Sequence, residues 1–73
     1  MSGPAFEETL ERAVAWLRAR YEGSEYTAAE VAVAIMVSPR TAYRALDAAC
    51  ARNLVTVRHL PKGPALWRAV SRS

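Results

Sequence analysis

Two arginines, a tyrosine and an aspartate recur at helical spacing in the middle of the chain, as Arg40, Tyr43, Arg44 and Asp47. At about 100° per residue, these four side chains share one face of a helix. Two arginines one turn apart repel each other, at a cost on the order of a few tenths of a kcal/mol, unless the face meets an anion. Most charged helix faces are simply solvated, so this pattern indicates a binding face only in combination with the segment in front of it.

The chemistry open to this face is recognition of a nucleic acid. Arg40 and Arg44 suit guanine edges or phosphates, and Tyr43 suits a phosphate through its hydroxyl or a thymine methyl through its ring. Asp47 can accept from a cytosine amino group, or it can hold Arg44 in place across one turn.

The segment that must position this face, residues 27–55, predicts two short helices joined by a tight turn. Thr27 and Glu30 have the spacing of a capping box, which starts the first helix. Ser38 and Pro39 restart the chain as a serine cap and a proline at the first helical position. The inward residues of the second helix are mostly alanines, so the two helices can approach closely. The segment therefore predicts a helix-turn-helix.

A change of periodicity follows the second helix. Residues 54–60 and 65–70 alternate and are separated by the turn Pro61-Lys62-Gly63-Pro64, which predicts a β-hairpin. Asn53, just before the hairpin, suits a left-handed helix end. A short strand at Glu25-Tyr26 is expected to supply a third edge, because two strands alone are marginal in water.

Further candidate contacts come from the helix start and the hairpin. Ser38 and Thr41 suit phosphates through their hydroxyl and amide donors. Arg58, Lys62 and Arg68 place positive charge along the hairpin and its tip, from which they are expected to reach an adjacent groove or the backbone.

An amphipathic first helix is expected over residues 5–20 as a scaffold. Trp16 falls at the edge of its apolar stripe and is expected to cover the rim of a small core. The residues predicted on the stripe itself are Phe6, Leu10, Ala13, Val14, Leu17 and Tyr21.

Length and charge limit the classes of protein that fit. The 73 residues suit a single domain over residues 1–73 with a small core. Residues 1–30 hold six acids against three bases, a net −3, whereas residues 31–73 hold seven bases against one acid, a net +6. A basic side on a small domain is typical of nucleic-acid binders.

The sequence lacks the residues of an enzyme. His59 and Cys50 are the lone histidine and cysteine, and neither has metal-ligand or nucleophile-base spacing, so no catalytic residue, metal or cofactor is predicted. The longest apolar run, residues 31–37, is too short to span a bilayer, and the acidic N-terminus is unlike a signal peptide. A cytoplasmic protein without a membrane partner is expected.

Taken together, the chain resembles the winged helix-turn-helix DNA-binding domains of bacterial transcription regulators. The stretch TAAEVAVAIMVSPRTAYRALDAACARNLV resembles the two-helix unit of that family, and LPKGPALWRAV resembles its wing. Met36 stands where a small residue is common and Asn53 where glycine is common. The resemblance implies an α+β fold of three helices followed by a C-terminal β-hairpin wing.

The ending GPALWRAV is also similar to the wing of the Z-form-DNA-binding domains of adenosine deaminases acting on RNA. In that family, an asparagine and a tyrosine one turn apart on the recognition helix contact the zigzag backbone, and a paired proline precedes the tryptophan. The matching helix positions here are Tyr43 and Asp47, and Ala65 replaces the second proline. Because an aspartate repels phosphate, the sequence ranks left-handed DNA below right-handed DNA and predicts that an alternating CG duplex stays right-handed.

The sequence thus predicts sequence-specific binding of double-stranded DNA, with the helix from Pro39 to about Arg52 in the major groove. The expected role is that of a small transcription regulator or an accessory protein of another DNA transaction. The alternative is a winged-helix protein-interaction module whose basic face docks an acidic partner. A homodimer or a protein partner is left open.

Overall fold

Three helices and one β-hairpin make up the chain in a computed structural model that describes residues 4–21 and 23–70. The helices are α1 (Pro4–Arg18), α2 (Ala28–Ile35) and α3 (Pro39–Ala51), and the strands are β1 (Val55–Arg58) and β2 (Leu66–Ala69). The expected α+β class and order of elements are confirmed.

The capping box starts α2 as predicted. The Glu30 amide donates to Thr27 Oγ1 at 3.1 Å, and the Thr27 amide donates to Glu30 Oε1 at 2.8 Å.

The helix ends at Met36, which has φ 62° and ψ 49°, a left-handed conformation that is uncommon for a residue with a side chain. Met36 stands where a small residue is common, but its side chain does not crowd the turn, because it is 87% exposed. Arg12 also donates to the carbonyl of Ile35 at 2.6 Å, which ties α1 to this helix end.

The predicted serine cap starts α3. Ser38 Oγ accepts from the Thr41 amide at 3.1 Å, and Pro39 occupies the first turn, where its missing N–H costs no helical hydrogen bond. The chain leaves the helix through Asn53, whose φ of 62° confirms the expected left-handed residue. The left-handed Met36 at the end of α2 and the Ser38 cap of α3 thus fix the length of the turn between the two helices.

The core lies between the three helices and one face of the hairpin. The inner face of α3 is formed mostly by small residues, Ala42, Ala45 and Ala49, which are fully buried together with Leu46. Small side chains let α2 and α1 approach α3 closely. The largest fully buried side chains are Trp67, Leu10, Leu46, Val31 and Val55.

The sheet has two antiparallel strands in the order β1-β2, with Val55 paired to Ala69 and Arg58 to Leu66. Tyr26 adds the expected third edge as a single bridge to Trp67, with backbone hydrogen bonds of 2.9 Å and 2.8 Å. The segment before α2 is thereby fastened to the wing.

The prediction that Tyr21 lies on the apolar stripe of α1 is wrong, because its side chain is 90% exposed. The helix ends at Arg18, so Tyr21 no longer follows the helical period and turns outward. Trp16 lies where it was expected, half-buried at the rim of the core, with its ring edge-on to Tyr26 at a centroid distance of 4.9 Å. Among residues 4–21 and 23–70, no helix combines the length and hydrophobicity needed to cross a membrane.

Candidate nucleic-acid interface

The outer face of α3 presents the predicted arginines, tyrosine and aspartate together. Arg40, Tyr43, Arg44 and Asp47 are all exposed, while the alanines on the other side of the helix are buried. The serine cap fixes where this face begins, and the alanine contacts fix its rotation. We refer to these four residues as the α3 face.

Tyr43 is the residue that joins the α3 face to the hairpin. Its ring meets the ring of Trp67 edge-on, with centroids 5.6 Å apart and an interplanar angle of 90°. Tyr43 keeps 47% of its surface exposed, whereas Trp67 is 1% exposed. Edge-to-face pairs contribute about 0.5–1.5 kcal/mol beyond the area that they bury. The helix and the wing are therefore packed as one surface.

Trp67 packs against the α3 face through Tyr43 and was not among the site residues predicted from the sequence. Its backbone pairs with Tyr26, its ring packs against Tyr43, and its indole Nε1 is buried with no hydrogen-bond partner among the described residues. The available signal was a large aromatic in a strand directly after a proline tip. That signal places Trp67 in the wing, but the choice of Tyr43 as its partner depends on how the hairpin folds back.

The charged groups of the α3 face have no protein partners within the described part of the chain. Neither Arg40, Arg44 nor Asp47 takes part in an ion pair or a side-chain hydrogen bond there. The hypothesis that Asp47 holds Arg44 in place across one turn is therefore wrong for this conformation, since no ion pair joins them within 4.0 Å. Both signs of charge on this face are available to a ligand.

The two predicted hydroxyl contacts are partly engaged in the cap of α3. Ser38 Oγ accepts from the Thr41 amide and donates to Thr41 Oγ1 at 2.9 Å. Both residues flank the first turn of the helix next to Arg40 and remain accessible at its end. Their contact with phosphate stays a prediction.

The hairpin bases do not all lie on the side of α3. Side chains alternate along a strand, so Arg68 points away from the face on which its neighbour Trp67 meets Tyr43. Arg68 Nε lies 3.4 Å from Thr56 Oγ1, its cross-strand partner. Arg58 lies on this same outer side of the sheet. Lys62 stands apart at the exposed hairpin tip.

Arg58 is engaged by an acid of the first half of the chain. Its guanidinium binds Glu25 in a bidentate manner, with Nε–Oε2 at 3.0 Å and Nη2–Oε1 at 2.7 Å. The hydrogen bonds from Arg58 hold the pKa of Glu25 below its ordinary value of 4.5, against a smaller opposing effect of desolvation. The charge of Arg58 is thus largely compensated within the protein, and a contact of this residue with DNA remains a prediction.

A second bidentate pair joins α1 to the end of α3. Arg52 donates to the two Glu7 oxygens at 2.9 Å and 2.7 Å, and these hydrogen bonds lower the pKa of Glu7 below 4.5. Of the bases in the second half, Arg52 and Arg58 are therefore paired, and Arg72 lies outside the described residues. Arg40, Arg44 and Lys62 have no acidic partner among the described residues, and neither does Arg68 on the outer side of the sheet.

A cavity of about 550 Å³ lies away from this surface, between the end of α1 and the outer side of the hairpin. Leu17, Tyr21, Thr56 and Arg68 are among the residues that line it. In residues 4–21 and 23–70, no cluster of three or more histidine, cysteine or acidic residues could hold a metal ion.

No protein-family model matches the sequence, and no curated protein matches it. Among solved structures, the chain is similar to the Zalpha domain from Carassius auratus PKZ in complex with Z-DNA, with a TM-score of 0.74 and 20% sequence identity. The alignment covers 90% of this chain and 98% of that one. At this identity the likeness establishes the fold, so the chain has a winged helix-turn-helix fold of the kind seen in a Zalpha domain.

Proposed function

We propose that this chain binds the sugar-phosphate backbone of a nucleic-acid duplex through the α3 face and the hairpin tip, and that left-handed DNA is the form it prefers. The observation that carries the proposal is the packing of Tyr43 against Trp67. This contact joins helix and wing into one packed surface on which Arg40, Arg44 and Lys62 have no acidic partner among the described residues. A fixed surface with uncompensated bases suits recognition of backbone shape.

Two arguments support the left-handed form. The PKZ domain, which has the same fold over nearly its whole length, was solved with Z-DNA. Tyr43 also occupies the helix position that the resemblance to Z-form-binding domains assigns to a backbone contact, and its half-exposed ring leaves its hydroxyl free to donate to a phosphate. These arguments reverse the ranking of the two duplex forms that the sequence suggested.

A second candidate is binding of right-handed DNA at a preferred sequence, which would suit a transcription regulator. It is favoured by Arg40 and Arg44, which are exposed and unpaired within the described residues, in the N-terminal half of α3. Arginines in this part of a recognition helix can bind guanine edges in the major groove. Under this candidate, Arg44→Ala costs about 1–3 kcal/mol on the preferred site and much less on random duplex.

Circular dichroism of an alternating CG duplex at low salt tests the proposal. Added protein is expected to convert the duplex to a left-handed spectrum, and Tyr43→Ala is expected to reduce the conversion. Tyr21→Ala is the matched control, because Tyr21 is an exposed tyrosine far along the chain from the α3 face.

Other outcomes separate the alternatives. Binding with an unchanged right-handed spectrum, together with enrichment of one site from a random library, would support the second candidate. Absence of both duplex binding and heparin retention near 50 mM salt would favour the protein-interaction module.

A further inference from the structure

The charge on the α3 face changes sign along the helix axis. Arg40 and Arg44 occupy its N-terminal half, and Asp47 lies one turn beyond Tyr43 towards the C-terminus. All three are exposed on the same side of the helix. A negatively charged backbone laid along this face therefore meets two cations first and then one anion.

Nothing in the fold accounts for an acid at this position. Asp47 makes no ion pair and no side-chain hydrogen bond within residues 4–21 and 23–70. It lies in the C-terminal half of α3, beyond the first turn in which the helix dipole favours a carboxylate. The two acids that do form ion pairs, Glu7 and Glu25, lie away from the α3 face and are each held by an arginine.

We infer that Asp47 is a specificity-determining residue that repels the phosphate backbone from the C-terminal half of α3, and so limits affinity and confines the contact to the N-terminal half and the hairpin tip. This inference rests on the proposed function. It differs from a base-reading role, in which Asp47 would accept from a cytosine amino group and its removal would weaken binding.

The physical size of the effect follows from Coulomb's law. One unit charge about 7 Å from a phosphate in a water-like medium changes binding by about threefold, and the change decays within a Debye length of about 10 Å at 0.1 M salt. A local effect of this kind exceeds the effect of the same charge placed elsewhere on the protein. That difference is measurable.

The test compares Asp47→Asn with Glu8→Gln in binding to alternating CG duplex at 50 and 300 mM salt. Glu8 is the matched control, because it is an exposed acid of α1 with no ion pair among the described residues, so both variants raise the net charge by one. Asp47→Asn is expected to raise the affinity about threefold at 50 mM salt and less at 300 mM, with Glu8→Gln close to wild type. Thermal unfolding checks that both variants fold.

Each other outcome has a definite meaning. Equal effects of Asp47→Asn and Glu8→Gln would overturn the inference, since only the net charge would then matter. Weaker binding by Asp47→Asn would overturn it in favour of the base-reading role. If neither the wild type nor Asp47→Asn bound any duplex, the proposed function itself would fail and the inference with it.

Discussion

The two sides of the wing differ in how their arginines are partnered. On the outer side of the sheet, Arg58 is held by Glu25, and Arg68 approaches Thr56. On the α3 side, Arg40 and Arg44 have no such partner in the described chain. Exposed charges contribute little to stability, and under the proposed function the arginines on the α3 side are the ones that contact the nucleic acid. Basic residues that lie close together in the sequence are thus divided between surfaces with different surroundings.

Trp67 is buried behind the α3 face, where it packs against Tyr43, and its removal should have the largest effect on stability. Trp67→Ala is expected to cost about 3–5 kcal/mol of stability, because it deletes a fully buried aromatic and leaves a cavity. That is a large part of the 5–15 kcal/mol that is typical of folded domains, or about all of it for a small core. Urea unfolding followed by far-UV circular dichroism measures the loss. Trp16→Ala at the half-buried rim is the control and should cost clearly less.

A pair of double variants tests the comparison of the two sides directly. Arg40→Ala with Arg44→Ala should weaken duplex binding by about 2 kcal/mol near 0.1 M salt and lower the slope of log K against log salt by about 1.8, if each arginine neutralises one phosphate. Arg52→Ala with Arg58→Ala removes the same charge from the ion-paired positions and should leave binding much closer to wild type. Equal losses from the two double variants would mean that net charge alone drives binding.

The hairpin offers a smaller test with single variants. Lys62→Ala removes an exposed base from the tip and should reduce the salt slope by about 0.9 while weakening different duplexes alike. Arg68→Ala, on the outer side of β2, should leave the slope unchanged. Salt titrations of both variants on alternating CG and random duplex provide the measurement. A loss of slope in Arg68→Ala would show that the outer side also contacts the ligand.

The ion-paired acids should show themselves in the pH dependence of stability rather than in binding. The pKa values of Glu7 and Glu25 are lowered in the folded state by Arg52 and Arg58. Each pair therefore stabilises the fold above the ordinary carboxyl pKa of 4.5, and the contribution is lost as the pH falls through the lowered value. Wild type should lose thermal stability below about pH 5 more steeply than a Glu7→Gln, Glu25→Gln variant. Matching curves would show that the pairs contribute nothing measurable, as is common for exposed ion pairs.

Local signals predicted most of the fold. The spacing of Thr27 and Glu30 and the pair Ser38-Pro39 set where α2 and α3 begin, because caps act within one turn. Tyr21 was misplaced because the helical stripe continues in the sequence past the residue at which α1 actually ends. A stripe shows which face a helix would bury, but it does not fix where the helix stops.

The sequence by itself determined that Arg40, Tyr43, Arg44 and Asp47 share a helix face, since that follows from the helical period alone. Only the tertiary structure decided which charges are free and which are paired, because Glu25 reaches Arg58 across 33 residues and Glu7 reaches Arg52 across 45. The contact between the rings of Tyr43 and Trp67 was likewise decided only by the tertiary structure. It joins a helix to a returning strand, and no local pattern specifies where that strand packs.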